Sequence, residues 1–536
     1  MFHENAEYTV DTRLTFATSK DIANGVEDEF GALYSPEGKR LLRGAACDSY
    51  SIRPGTEVIC DLAFDYLIWN LGHTEDAFTM RKRLACINIP DSVTHIGEHA
   101  FTSCEALTSI NLPESVTYIG RGAFKYCKGL TSINIPDSVA YIGDEAFGHC
   151  ESLTSISIPK SVTHIGEMAF SGCYGLISII IPDSISHIAG FLFSSCIHLT
   201  NVTIPNSVTH IGYAAFSDCK GLTSITLPES VTHLEDDAFS HCEGLTSFTL
   251  PNSVTYIGRS IFSNCESLTS IIIPDSVEQI GEELFDGCNA LECIQVSKDN
   301  KTYDSRENCN AIIHTATNTL IAGCKNTIIL DSITHIGNGA FSECDSLTKI
   351  TIPESVTHIG NCAFYGCDGL KKITIPNSVI HIGNETFARC SGLTSITIPD
   401  TITRIGKGTF KYCIRLASIN IPNSVKQIED DAFSYCEGLT KINIPDSVII
   451  IGDRVFCQCT DLTSITIPDS VIHIGHDVFA QCIGLIEITL PNSVMHIGCR
   501  FLFMCDALDK IYIPAGYYYK FKRLLPGLED KFVEIE

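Results

Sequence analysis

Between His95 and His99 the sequence reads H-I-G-E-H. The order H-x-x-E-H is that of a zinc peptidase, where two imidazoles hold the metal and the carboxylate acts as general base. That chemistry needs both imidazoles on one face of an unbroken helix. Gly97 interrupts it, and H-I-G returns at His164, His210 and His358. The match therefore arises from repeat register, and no metal centre is expected. The histidines themselves form a set. His95, His164, His187, His210, His233, His335, His358, His381, His473 and His496 fill one slot, which Tyr118, Tyr141 and Tyr256 fill elsewhere. Such a column could capture a metal or titrate near neutrality. No carboxylate completes a ligand set, so the favoured reading is an exposed, stacked column multiplied by duplication.

Cysteine gives a third set. Of 26 cysteines, one series runs from Cys104 through Cys127 and Cys150 to Cys288, and resumes from Cys344 to Cys505 at the same 23-residue step. A residue locked to a period is a structural slot, and free cysteine packs as a small apolar group. The expectation is a column of reduced, buried thiols. In an oxidising compartment neighbours on coils about 4.8 Å apart are near enough for a few to pair. The off-series cysteines (Cys47, Cys60, Cys86, Cys293, Cys309, Cys324, Cys362, Cys457 and Cys499) include no C-x-x-C. Acid pairs such as Asp236–Asp237 and Glu282–Glu283 sit in variable slots and read as solvated charge. With no nucleophile elbow or phosphate loop, no catalytic residue, cofactor or enzymatic activity is expected.

The elements that carry these sets come from one unit, such as Leu107–Gly129, L-T-S-I-N-L-P-E-S-V-T-Y-I-G-R-G-A-F-K-Y-C-K-G. Ile110 and Leu112 alternate with Ser109 and Asn111, which is strand spacing. Pro113 stops the strand, and P-E-S, elsewhere P-D-S or P-N-S, is turn chemistry. Val116 and Ile119 mark a second short strand or extended bend. Ala123, Phe124 and Cys127 share one side of a single helical or 3-10 turn. No such unit buries its apolar side alone; stacked copies build a continuous core. Length alone would suggest several domains, but a stack grows as one unit.

The period fails between Cys288 and Cys344, where L-E-C-I-Q-V-S-K-D-N-K-T-Y-D precedes N-A-I-I-H-T-A-T-N-T-L-I-A-G (Asn310–Gly323). G-A-L-Y-S-P-E-G-K-R-L-L-R-G (Gly31–Gly44) has the same pattern, and both read as a hairpin with a polar turn. Asp65 to Arg83, with Trp69, reads as a loop or short helix. Tyr518, Phe521, Leu524 and Leu525 fit a helix closing the last coil, since an open end exposes core and unpaired strand. The divisions expected are 1–83 (cap and diverged first repeat), 84–290 (regular repeats), 291–323 (irregular repeat), 324–514 (regular repeats) and 515–536 (C-terminal cap).

The net charge of −27 disfavours nucleic acid and anionic membrane as partners, since both need Lys and Arg clusters. No apolar run reaches the roughly 18 residues that cross a bilayer. The outward positions of the sheet are Ser109, Asn111, Ser132, Asn134, Ser155, Ser157, Asn201, Thr203, Ser224, Thr226, Ser247 and Thr249. Lys349, Thr351, Lys372, Thr374 and Lys441 continue them in the C-terminal half. This long polar stripe is the candidate binding face. It lacks the aromatic and Arg anchors of hot spots, so single contacts are weak and many coils together would add avidity.

The pattern L-T-S-I-T-I-P-D-S-V-T-H-I-G..A-F..C resembles the BspA-like leucine-rich repeat family. The ending I-Y-I-P-A-G-Y-Y-Y-K-F-K-R-L-L-P-G (Ile511–Gly527) is similar to that family's C-terminal cap, and G-A-L-Y-S-P-E-G-K-R-L-L to its irregular hairpin repeat. The likeness covers residues 27–536. It implies an α/β leucine-rich-repeat solenoid, right-handed, with a parallel β-sheet on the concave side and short helical or 3-10 turns on the convex side. It further implies a monomeric, non-catalytic surface or secreted protein that binds a protein or extracellular-matrix ligand in adhesion. The chain opens on M-F-H-E-N-A-E-Y-T-V without a basic n-region and apolar stretch. That keeps a cytoplasmic protein–protein interaction scaffold as the alternative.

Overall fold

The computed structural model describes residues 14–65 and 83–536; the segment around Trp69, expected as a loop or short helix, lies outside them. The chain divides into two units, Met1–Phe262 and Ser263–Glu536. Each is a parallel β-solenoid in which strands pair with their counterparts one coil away, residue on like residue. In the first unit Ser132, Ile133 and Asn134 lie on Ser109, Ile110 and Asn111. In the second Ser418, Ile419 and Asn420 lie on Lys441, Ile442 and Asn443.

One coil shows why. Ser109–Asn111 is a strand with only Ile110 buried. Pro113 ends it, and the Val116 N–H closes the turn on the Pro113 carbonyl at 3.0 Å. The second strand is Tyr118–Ile119. Beyond it the backbone makes a run of tight turns, where the sequence suggests a helical or 3-10 turn. Cys127 donates to Phe124 at 3.1 Å and Leu130 to Cys127 at 3.0 Å within the coil. The intervening N–H groups leave it: Gly122 donates to Asp144, Phe124 to Ala146 and Tyr126 to Gly148, at 2.7–2.8 Å. A helix would turn every N–H along its own axis and offer none to the next coil. To aim alternate groups outward the backbone enters the left-handed region, at Gly122 (φ 57°) and Tyr126 (φ 61°). A non-glycine residue there costs about 1–2 kcal/mol, which the bond between coils offsets.

The core is a set of columns. In the first unit Phe101, Phe124 and Phe147 stack at 5.3 and 5.5 Å with planes within 6°. In the second Phe387, Phe410 and Phe433 stack at 5.8 and 5.4 Å. All six are fully buried. Beside them the thiols run in column, and their role is more specific than packing. Cys127 donates through sulfur to the Phe101 carbonyl at 3.1 Å, and Cys413 to Phe387 at 3.2 Å. The slot thus needs a small apolar side chain that carries one weak donor. Burial pushes these thiols up, Cys173 and Cys436 to about 12, so they are protonated and inert at neutral pH. All 26 cysteines stand as free thiols. The serine of P-x-S also reaches across: Ser115 Oγ donates to the Val93 carbonyl at 2.6 Å and Ser424 Oγ to Ile402 at 2.6 Å.

The two irregular segments adopt the same three-stranded motif. In the first unit Val26–Glu27, Leu33–Tyr34 and Arg40–Arg43 are antiparallel, and the third strand then runs parallel to Val58–Ile59. In the second, Tyr303–Asp304, Ala311–His314 and Thr319–Gly323 are antiparallel, and the third runs parallel to His335–Ile336. Gly44 and Gly323 end the two hairpins against the rings of Phe64 and Phe341, where a Cβ would lie 2.1 and 2.2 Å from ring carbon. At the C-terminus the helix Tyr518–Leu524 buries Phe521, as expected. The strand Phe532–Ile535, which pairs in parallel with Lys510–Pro514, is an addition to the expected helical cap. Among the described residues no helix is long and apolar enough to cross a membrane.

Phe410→Ala removes a ring from the middle of a stack and should destabilise the second unit by about 3–5 kcal/mol, read as a lowered urea midpoint. Gly323→Ala should destabilise it too, while Gly366→Ala, at φ 68° with only the Glu343 side chain within 3.1 Å of the new Cβ, should cost about 1–2 kcal/mol.

Candidate binding face

All the outward positions expected from the sequence are solvent-exposed. In the first unit Ser109, Asn111, Ser132, Asn134, Ser155, Ser157, Asn201, Thr203, Ser224, Thr226, Ser247 and Thr249 are exposed, and the residue between each pair points inward. Lys349, Thr351, Lys372, Thr374 and Lys441 are exposed in the second. Like residues are held in file: Asn134 on Asn111, Thr226 on Thr249, Thr374 on Thr397. In many coils a threonine precedes the strand and ties it to the coil before. Thr131 Oγ1 donates to the Thr108 carbonyl at 3.0 Å and Thr394 Oγ1 to Lys371 at 3.1 Å.

Two features of this face add to the sequence expectations. Ile180 and Ile272 occupy outward slots and are 68% and 60% exposed; each breaks a polar column and is legible by slot. Charge is the second. The outward strand positions of the first unit from Ser109 to Thr249 carry no charge, and those of the second from Lys349 to Thr466 carry only lysine. A chain with 63 carboxylates keeps them off this face there; Glu487 is the first to appear. Lys349, Lys371, Lys372 and Lys441 take part in no ion pair among the described residues.

The histidine column occupies the second strands. Rings stack at 4.3 Å between His187 and His210 and 4.5 Å between His210 and His233. In the second unit His335 and His358 stack at 4.7 Å. The preceding threonine sets the tautomer. Thr357 Oγ1 donates its proton to the Thr334 carbonyl at 3.2 Å and lies 2.9 Å from His358 Nδ1. The oxygen is therefore the acceptor, Nδ1 carries the hydrogen, and Nε2 keeps its lone pair. The same pair recurs at Thr209–His210 and Thr334–His335, at 2.8 Å. Burial holds His95, His164 and His187 below the ordinary imidazole value, and does the same for His335 and His381. The H-x-x-E-H residues do not converge as in a peptidase: His95 is on a strand and His99 is in a left-handed turn (φ 52°).

A family model described as BspA type leucine rich repeat region matches residues 74–200, 187–312, 321–440 and 426–523. No curated protein matches the chain. Among solved structures it is similar to a leucine-rich repeat protein from Eubacterium ventriosum, with 27% identity over 57% of this chain and 84% of that one and a TM-score of 0.51. A leucine-rich repeat protein from Bacteroides ovatus is 29% identical over 80% of this chain and 92% of its own, with a TM-score of 0.39. A leucine rich cell surface protein from Faecalibacterium prausnitzii is 22% identical over 93% and 97%, with a TM-score of 0.33.

The half-buried imidazoles make stability depend on pH. Unfolded, each takes a proton near 6.5; folded, it does so at lower pH. The unfolded chain thus binds more protons between the two values. The contribution is full above 6.5 and is lost as pH falls through the folded value. The unfolding temperature should drop between neutral and mildly acidic buffer, and H164Q with H335Q should flatten that slope.

Proposed function

The chain belongs to the BspA-type leucine-rich repeat family, and from that premise we propose that it is a non-catalytic binding protein. It recognises a protein or extracellular-matrix ligand through the outward side of its Ser/Thr/Asn strands, and it works in adhesion at the cell surface or in secreted form. The observation that carries this reading is the charge segregation. In a chain of net charge −27 a solvated sheet under no demand would collect acidic residues in its outward slots as other exposed slots do. From Ser109 to Thr249 and from Lys349 to Thr466 those slots hold hydroxyls, amides, an isoleucine and unpaired lysines; Glu487 follows them, and the slot before the strand holds Lys371 but also Glu292 and Asp509. Repulsion from acidic surfaces is removed along the face, and Lys349, Lys371 and Lys372 on adjacent coils attract them. Each contact is weak, and the repetition supplies avidity.

The test is capture of matrix and host-surface proteins on immobilised full-length chain, against K371E/K372E. The double variant should lose bound partner by about tenfold or more with unchanged thermal unfolding. Equal capture by both proteins would remove the strand face from consideration. For location, trypsin treatment of intact cells should release fragments of the chain; recovery of intact chain only from lysed cells would favour the cytoplasmic scaffold.

A further inference from the structure

Along the histidine strands most regular rungs share one bond, in which the residue after the strand donates its N–H to the isoleucine or leucine carbonyl of the coil before; Ile165 and Ile382 lie at rungs between regular coils that lack it. Gly360 donates to Ile336 and Gly383 to Ile359, both at 2.9 Å. At the irregular coil the bond changes partner. Gly337 donates to Leu320 at 2.8 Å and Thr334 to Asn318 at 3.1 Å. The strand Gln279–Ile280 thereby loses the partner it would have on that side. The Tyr303 hydroxyl accepts the Ile280 N–H at 3.1 Å, while the Ile280 carbonyl is left without the donor of a regular rung. Ile280 is half-buried, whereas Ile336 and Ile359 are buried. The turns do not share the gap. Asn338 Nδ2 donates to Glu282 Oε1 and Ser342 Oγ to Asp286 Oδ2, both at 2.9 Å and across 56 residues. The coils on either side thus touch at their turns and part at their strands, leaving a wedge of about 450 Å³.

The charge of the wedge is of one sign. Ile280 and Ile321 give it apolar walls, and Glu282, His335 and His358 line it as well. Its one charged group among the described residues is a carboxylate. Its polar groups are the Ile280 carbonyl, the Glu282 carboxylate, which is in no ion pair among the described residues, the imidazoles of His335, His358 and His381, the amides of Asn338 and Asn361 and the Thr319 hydroxyl. Thr334 and Thr357 fix the hydrogen of the His335 and His358 rings on Nδ1, so each of those Nε2 atoms presents a lone pair. No Lys or Arg lines the site.

We propose that this wedge receives an extended segment of a partner protein and seats one of its arginine or lysine side chains. A main-chain N–H of the segment replaces the donor missing at Ile280, in the manner of strand addition. The cationic head reaches Glu282 and the imidazole Nε2 atoms, and its methylene stem packs on Ile280 and Ile321. The wedge lies on the histidine strands, apart from Lys371 and Lys372, so this binding and that of the strand face fail independently.

The test is fluorescence anisotropy at near-physiological salt with a labelled peptide, Gly-Ser-Gly-Ser-Arg-Ser-Gly-Ser-Gly, and its citrulline counterpart. Full-length chain should bind the arginine peptide more tightly than the citrulline one. E282Q, and T319Y, which fills the wedge, should each weaken it by about fivefold or more; D446N, which removes an equal charge from a distant turn, and K371E/K372E should not. Free arginine amide should compete less well than the peptide. Equal loss with D446N would mean diffuse attraction to an acidic chain and would overturn the proposal. No binding, no effect of E282Q and T319Y, or equal competition by arginine amide would each overturn it as well.

Discussion

A single coil of this protein cannot satisfy its own backbone. Its two strands have no partner within the coil, and in its turns alternate N–H groups point away from it. The next coil supplies the acceptors: Asp144, Ala146 and Gly148 for the turn at Gly122–Tyr126. Because buried backbone groups must be paired, this requirement governs the rest. It sets the length of the repeat, since a coil of another length brings the wrong carbonyls into place. It also places left-handed residues in the turns and donors such as Ser115 and Cys127 beside carbonyls of the preceding coil.

Much of this is legible in the sequence, because duplication writes structural roles as columns. Strand positions, the inward Phe and Cys, and the likeness between Gly31–Gly44 and Asn310–Gly323 all emerge from spacing. The likeness holds down to the glycine that faces a phenylalanine ring in both copies. Spacing fails where the answer lies in hydrogen-bond direction. Ala123, Phe124 and Cys127 share one side in a helical turn and in the observed run of tight turns alike, so periodicity does not separate the two. The serine of P-x-S reads as turn chemistry, and its bond to the preceding coil is invisible in one dimension. The closing strand Phe532–Ile535 lies outside the repeat and carries none of its markers.

The candidate face divides the same way. Its outward residues follow from alternation alone, and all of them are exposed. What the slots do not reveal is the wedge. It exists because the irregular coil inserts strands but not turns, and the withdrawn donor at Ile280 emerges only when the pairing of Gly337 is known. The histidine column likewise gains meaning from its neighbour: T-H is a frequent dipeptide here, and the threonine decides which ring nitrogen is available.

The central claim is that the coil, with its bonds to both neighbours, is the unit of stability. Excision of residues 394–416 removes one whole 23-residue coil and brings Leu393 to Ala417 in register; excision of 394–405 removes half of one. Circular dichroism with urea unfolding of the two deletions tests the claim most directly. The first should stay folded and cooperative with a slightly smaller denaturant slope, and the second should lose structure across the neighbouring coils. Equal damage from both deletions would contradict it.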